Sequence, residues 1–538
     1  MTAPTIFKML QKSTCASSVP MSLLALGVGI TLMFASVETA SAAGTVGDGT
    51  AASCTEAALN AALAGGGNVY FNCGSSPLTI PVTTEKVISA NTLIDGGANG
   101  NNLITLSGGN SKSIFNLQGS IQFSVKNLTL ANGFTTEQGA AINNSTGGTL
   151  SVSNCQFTNN VSNKPGEFGG GAIFSGPRGT VTVAKSTFNG NKGSIGGAIR
   201  ILNSNLSVTS STFTGNSAVD GSLGNGGALY IDGANGNNGK ITIRATRFTN
   251  NTATAYGGAF FNNIYNNNQT LIDRSTFSGN KVAGGSNGQG GAIWSMGDPA
   301  PVGGIWTTGV NNTTLTVTNT TIAGNTASQQ GGGIWLGRHP AGINISNTTV
   351  SGNTATSSNG GGIVLGDNGK LNITNSTISG NKVAGSSSLG GGLAIANGQA
   401  TITNSTIASN TAVWQGGGIF GGTKVTLKNT IVANNTANNG GNNWNIKHNC
   451  FDAVTDGGNN LQFTANNPSA TECGAAISMA DPKLGPLASN GGLTRTMALL
   501  AGSLAINAGN NTGCPTTDQR GITRPQGPAC DIGAFEVQ

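Results

Sequence analysis

STFNGN at Ser186–Asn191, STFTGN at Ser211–Asn216, STFSGN at Ser275–Asn280 and STISGN at Ser376–Asn381 are one phrase written four times. STIASN closes at Asn410, and looser copies close at Asn160, Asn251, Asn325, Asn353 and Asn435. A second phrase alternates with it: GGAI at Gly170–Ile173, Gly196–Ile199 and Gly290–Ile293, with variants ending at Leu229, Phe260, Ile334, Ile363 and Ile419. Self-similarity at this period marks stacked units, none of which buries its apolar face alone.

The wording inside a repeat selects the kind of stack. Val152, Val183, Val208, Ile243, Ile272, Val317, Ile345, Ile373, Ile402 and Leu427 each stand five residues before the Phe, Ile or Val of the phrase. Most have another apolar residue two places earlier, as Leu150, Val181, Leu206, Ile241, Leu315 and Leu371 do. Period-2 spacing rich in β-branched residues is a strand signal. GGAIRI, GGALYI and GGGIVL begin a second short strand, and no 3.6-period stripe lies between. Steps of 31, 25, 35, 29, 45, 28, 28, 29 and 25 residues separate the phrases. That is short for a four-stranded propeller blade of ~40–45 residues and right for one coil. The expected fold is all-β, a single-stranded right-handed parallel β-helix of the pectate-lyase-like kind. Eleven coils make a rod roughly 50 Å long at ~4.8 Å per layer. The 45-residue step holds GDPAPVGGIWTTGVNN, expected to protrude as a loop.

Gly and Asn suit corners that need φ > 0. The terminal Asn of each phrase is expected to bond its counterparts in the coils above and below. Only 8% of residues are charged, with formal charge +6. The basic residues are scattered singly, so no stripe for nucleic acid exists.

Residues 1–42 read as a signal peptide. Lys8 and Lys12 are the basic region, Met21–Phe34 the apolar stretch, and Ala40-Ser41-Ala42 the cleavage site. No later stretch reaches the length of a membrane span, so the mature chain is expected to be exported. Export makes the cysteines legible as local pairs, Cys54–Cys73, Cys450–Cys473 and Cys514–Cys530, with Cys155 a lone thiol. No C-x-x-C and only two His residues argue against a metal; no cofactor is expected. Residues 43–133 are expected to hold an N-terminal cap and first coils, 134–439 the repeats, and 440–538 a disulfide-containing C-terminal cap. Ser53-Cys54-Thr55-Glu56 has capping-box spacing ahead of a short helix over Ala57–Ala64, and GGGNVYFNCG from Gly65 is expected to begin the first strand.

The alternating GGAI and FxxN phrases resemble those of chlamydial polymorphic outer-membrane proteins, β-helical surface adhesins. The tail resembles the choice-of-anchor Q domain of bacterial surface proteins. Asp481-Pro482, Asn490-Gly491-Gly492, Asp518-Gln519-Arg520-Gly521 and Asp531-Ile532-Gly533-Ala534-Phe535-Glu536 are in place, and Leu504 stands where that family usually has Pro. An anchor usually follows that domain, whereas Glu536 here lies two residues before Gln538. Secretion and cell-surface attachment both stay open. Neither resemblance carries a catalytic residue.

Glycoside hydrolysis needs two carboxylates within ~5–10 Å. Asp232, Asp273, Asp298 and Asp367 share no repeat position, and no acidic cluster is available to hold the calcium of a lyase. His339, after Arg338, reads as a solvated loop residue, and His448 as part of the cap. The reading is a non-enzymatic adhesin or scaffold whose partner is an extracellular polysaccharide or another surface protein. The alternative is a polysaccharide lyase or glycoside hydrolase of the pectin-lyase-like fold. The candidate ligand site is the column after the apolar residue of the GGAI phrase: Phe174, Arg200, Tyr230, Phe261, Trp294, Trp335 and Phe420. Its Ile and Leu neighbours face inward, so alternation turns it outward as a stripe for sugar rings or a protein. No catalytic residue is assigned.

Overall fold

A computed structural model describes residues 44–97, 103–219, 223–285, 287–297, 312–465, 467 and 470–538, all within the compact unit Ser41–Gln538. The signal-peptide reading and most of the GDPAPVGGIWTTGVNN insert lie outside the described residues. The chain is a parallel β-solenoid of about 14 turns with almost no helix.

The coil Lys370–Ile395 stands for the rest. Lys370–Thr374 lies in sheet 1, Thr377–Ser379 in sheet 2, Lys382–Val383 in sheet 3 and Leu393–Ile395 in sheet 4. Sheets 1 and 2 each have 15 strands among the described residues, sheet 3 has 11 and sheet 4 has 12, all parallel and joined coil to coil. Register follows the apolar columns. Val152 pairs Val183, which pairs Val208, and the line continues through Ile243, Ile272, Val317, Ile345, Ile373 and Ile402 to Leu427. On sheet 2 the Phe column stacks face to face. The Phe157–Phe188, Phe188–Phe213 and Phe248–Phe277 centroids are 4.5, 4.6 and 4.6 Å apart.

Corners follow from φ. The residue after each sheet 1 strand is left-handed, usually Asn, as at Asn154, Asn319 and Asn375 (φ +52°, +49° and +45°). Lys185, Ser210, Ala245 and Arg274 occupy the same corner with a β-carbon that the region disfavours. The second Gly of the GGAI phrase is there for contact, not for φ: a β-carbon on Gly258 would come within 2.0 Å of the Gly291 carbonyl oxygen.

The terminal Asn of each phrase builds the expected ladder, buried throughout. Asn251 Nδ2 donates to Asn280 Oδ1 (2.9 Å), and that oxygen also accepts the Asn251 backbone N–H (3.0 Å). Asn251 Nδ2 donates as well to the Phe213 carbonyl. The pattern runs from Asn160 through Asn435 to Asn449. The first residue of the phrase forms a parallel line of hydroxyls. Ser186 Oγ accepts the Cys155 N–H and Ser211 Oγ accepts that of Ser186. Cys155 holds the place of a hydroxyl and is free and buried. Burial pushes its thiol up to about 12.

The N-terminal end differs from expectation in two ways. The edge strand of sheet 1 is Gly44–Val46, which precedes the helix and pairs with Gly67–Phe71. The helix α1 (Glu56–Leu63) is capped by Thr55, whose Oγ1 accepts the Ala58 N–H at 3.1 Å. The capping box therefore does not form. Ser53 turns away to accept the Asp48 N–H, and Glu56 reaches across to Thr83, Thr84 and Lys86. Leu59 and Ala62 of α1 are buried over the first coil, and Cys54–Cys73 joins the two.

At the other end the coils pass residue 440. Thr455–Asp456 extends sheet 1, Leu461–Phe463 and Ser478–Met479 extend sheet 2, and Asn449 extends the ladder. Cys450–Cys473 closes this last turn. Cys514–Cys530 lies within the tail beyond it.

Candidate functional site

The GGAI-phrase column stands outside the main core, as alternation requires, and forms an apolar cluster of its own. The expected exposed row is corrected. Phe174, Arg200, Tyr230, Phe261, Trp294 and Trp335 are 3–8% exposed, and only Phe420 is partly open. The cause is the coil spacing. Rings one strand apart lie in stacking contact, so each hides its neighbour's face. Centroids are 4.6 Å apart for Tyr230–Phe261, 4.5 Å for Phe261–Trp294 and 5.1 Å for Trp294–Trp335, with planes within 3°. The indole N–H groups are satisfied by Gln289 and Gln330, one coil apart. Arg200 lies between Phe174 and Tyr230, its guanidinium carbon 5.1 and 5.9 Å from the ring centroids, and donates to Gln138 Oε1 at 2.7 Å. Burial lowers its pKa and raises that of Tyr230. Phe420 leaves the stack and tilts against Phe451.

The titratable residues weighed for catalysis stay apart. Asp232 accepts from the Tyr265 hydroxyl, Asp273 pairs with Arg274 at 3.1 Å, and Asp367 accepts only the next backbone N–H; Asp298 lies outside the described residues. His339 is buried rather than solvated. Its Nε2 meets Ser295 Oγ at 3.0 Å, and burial lowers its pKa to about 3. His448 Nδ1 accepts the Ala437 N–H beside the ladder. Among the described residues no group of acids, His and Cys could hold a metal ion, and no helix is long and apolar enough to cross a membrane.

The tail motifs form a densely connected polar site. Asp518 is fully buried. It accepts the backbone N–H groups of Arg520 and Ile522, the Arg520 Nε and the Glu536 N–H at 2.8–3.0 Å. Arg520 lies flat on Phe535, 3.5 Å from its centroid. Arg524 donates to the Asp531 and Gly533 carbonyls and lies 3.6 Å from Glu536. Burial raises the pKa of Asp531 and of Glu536. These groups hold the tail's fold and leave Gln519 to read the solenoid. Its Nε2 donates to Thr349 Oγ1 and its Oε1 accepts from Thr377 Oγ1. Asn375 and Asn404 donate to the Thr517 and Asp531 carbonyls, and Thr406 Oγ1 accepts the Ala534 N–H.

The tail thus runs along the outer face of sheet 2 rather than only capping the end. This contact was missed from sequence, although a signal was present. The outward column of sheet 2 that holds Thr187, Arg247 and Thr276 keeps Thr as far as Thr406 and becomes Ile431 in the last phrase, with Ala408 and Ala433 in the column beside it. Ile431 and Ala433 are buried with Leu499, Ala505 and Ile532 of the tail.

Residues 210–232 and 274–296 match the Chlamydia polymorphic membrane protein (Chlamydia_PMP) repeat. No curated protein and no solved structure matches the chain. Both matched stretches run from the FxxN phrase into sheet 4, and the chain is a β-solenoid built on repeats similar to those of that family.

Proposed function

We propose that the protein is an exported rod that works at the cell surface or in the extracellular matrix as an adhesin or scaffold. A polysaccharide or another surface protein would be its partner. The observation that carries the reading is the continuous coil stack, whose ionisable groups serve the fold: Asp518, Asp531 and Glu536 lock the tail, and His339 and Cys155 are sealed from solvent. The likeness to polymorphic membrane protein repeats supports a surface location, and the disulfides support an oxidising compartment. The likeness of the tail to choice-of-anchor Q domains supports attachment. In this reading the tail clasps the rod while an anchor elsewhere holds it.

Fractionating the producing cells, with protease shaving of the intact surface, tests location: the protein is expected in the surface or medium fraction. Incubation with extracellular polysaccharides is expected to give binding without shortening. Chain shortening would overturn the scaffold reading in favour of a lyase or hydrolase.

A further inference from the structure

Between the last strand of sheet 3, Thr436–Ala437, and Cys450, which bridges to Ile419 of sheet 4, residues 438–447 make a loop, NNGGNNWNIK. Two buried amides build it. Gln415 stands directly before its GG phrase, as Gln289 and Gln330 do before theirs, but those two accept the indole N–H groups of the buried stack. Gln415 instead donates to Asn439 Oδ1 (2.8 Å) and to the Asn445 carbonyl (2.9 Å), and accepts the Lys447 N–H (2.6 Å). Asn439 in turn holds both tryptophans of this corner. Its N–H donates to the Trp414 carbonyl and its Nδ2 to the Trp444 carbonyl, each at 2.8 Å. Gly440 (φ +65°) lies against the Trp414 ring, where a β-carbon would come within 3.0 Å. The fold makes no use of the two indoles so placed. Trp414 is 36% exposed and Trp444 68%, and neither indole N–H enters a hydrogen bond among the described residues. A loop fixed from beneath while it holds an aromatic ring in solvent is ordered before any ligand arrives.

We infer that this loop binds a neutral glycan, with pyranose rings lying on Trp444 and Trp414 and their hydroxyls bonded to the amides of Asn438, Asn443 and Asn445. All three side chains are exposed and make no hydrogen bond within the described residues. Each amide both donates and accepts, as a sugar hydroxyl does. No charged residue stands between Lys428 and Lys447, and the loop of the preceding coil, residues 385–388, reads GSSS. Its Ser388 carbonyl accepts the Trp414 N–H at 3.2 Å. The rim is thus Asn, Gly and Ser, without the sealing contacts that surround a protein hot spot. The inference rests on the surface-rod reading, whose polysaccharide partner it narrows. That reading is tested by location and can stand where this one fails.

Calorimetry on the full chain tests it, with cellohexaose, laminarihexaose, chitohexaose and mannohexaose as neutral probes and hexagalacturonate as the acidic one. At least one neutral hexasaccharide is expected to bind and to shift tryptophan emission to the blue, and hexagalacturonate should bind no tighter. Trp444→Ala should weaken that binding by about tenfold or more, in line with the loss of one stacked ring. Trp444→Phe should restore most of it. Both variants should melt at the parent temperature, because the ring is exposed. Failure of every neutral probe to bind, tighter binding of hexagalacturonate, or an affinity unchanged in Trp444→Ala would overturn the inference. So would adhesion to a matrix glycoprotein that needs Trp444 yet survives removal of the glycans, which would assign the loop to a protein partner.

Discussion

At the scale of the residue, this fold repeats a few backbone decisions, and its exceptions are informative. Ala245 sits at a corner with φ +47°, where a β-carbon costs roughly 1–2 kcal/mol. Ala245→Gly is therefore expected to stabilise the protein by about 0.5–1 kcal/mol, the gain in strain being partly offset by glycine's unfolded-state entropy. Denaturant midpoints at constant slope would measure it. Asn280→Ala should do the reverse. It strands buried groups on Asn251 and on the Phe248 carbonyl, at ~1–3 kcal/mol for each group left unsatisfied. Cys155 should resist thiol reagents in the folded protein and react once denaturant is added. Its pKa of about 12 leaves almost no thiolate at neutral pH, and rapid labelling of the native protein would contradict its burial.

At the scale of the element, the aromatic column carries the main correction. Parity was legible from GGAIRI and GGALYI, because alternation assigns faces. Exposure was not, because it depends on what lies one strand away along the stack, and no single repeat contains that. Replacing Trp294 and Trp335 together by Ala is now expected to cost several kcal/mol, in the manner of large-to-small core changes. A midpoint unchanged from the parent would show that the stack is ornamental. The helix α1 offers a pH test. Burial raises the Glu56 pKa, but hydrogen bonds from Lys86, Thr83 and Thr84 outweigh it and bring the value down to about 2. A depressed carboxyl stabilises above its ordinary value of about 4.5 and loses that contribution as pH falls towards 2. Hydrogen exchange should therefore find α1 loosening between about pH 4.5 and 2, and Glu56→Gln should loosen it already at pH 7. Loosening that is the same in parent and variant would contradict the assignment.

At the scale of the molecule, the coil stack was readable because its signal is local and repeated: strands, corners and the Asn ladder follow from spacings within one repeat, and the three cysteine pairs outside the repeats from separations of only 19, 23 and 16 residues. The clasp was not readable as such, because Gln519 meets Thr349 and Thr377 across 170 and 142 residues. Only the change from a column of Thr, kept from Thr276 to Thr406, to Ile431 hinted at a covered face. The clasp should respond to disulfide chemistry. Cutting Cys514–Cys530, a sequence separation of 16, removes about 3 kcal/mol by the chain-entropy estimate. Cys514→Ser with Cys530→Ser is expected to free residues 480–538 for proteolysis while the coils keep their β circular dichroism. Loss of the coil signal together with the tail would instead make the clasp part of one cooperative unit.

The Asn ladder has one direction: each amide gives one hydrogen to the Asn oxygen of the next coil and the other to a carbonyl of the coil before, while its own oxygen accepts from that preceding coil, from Asn160 until the ladder ends at Asn449. Every coil thus ends in the same connector with which it began, like a length of pipe with one male and one female end. Excising one full period upstream of the clasp, such as residues 217–251, would join Asn216 directly to the Asn280 connector with nothing left over. Length in such a protein is a freely adjustable quantity, open to gain and loss of whole coils by unequal recombination, whereas direction is fixed for good.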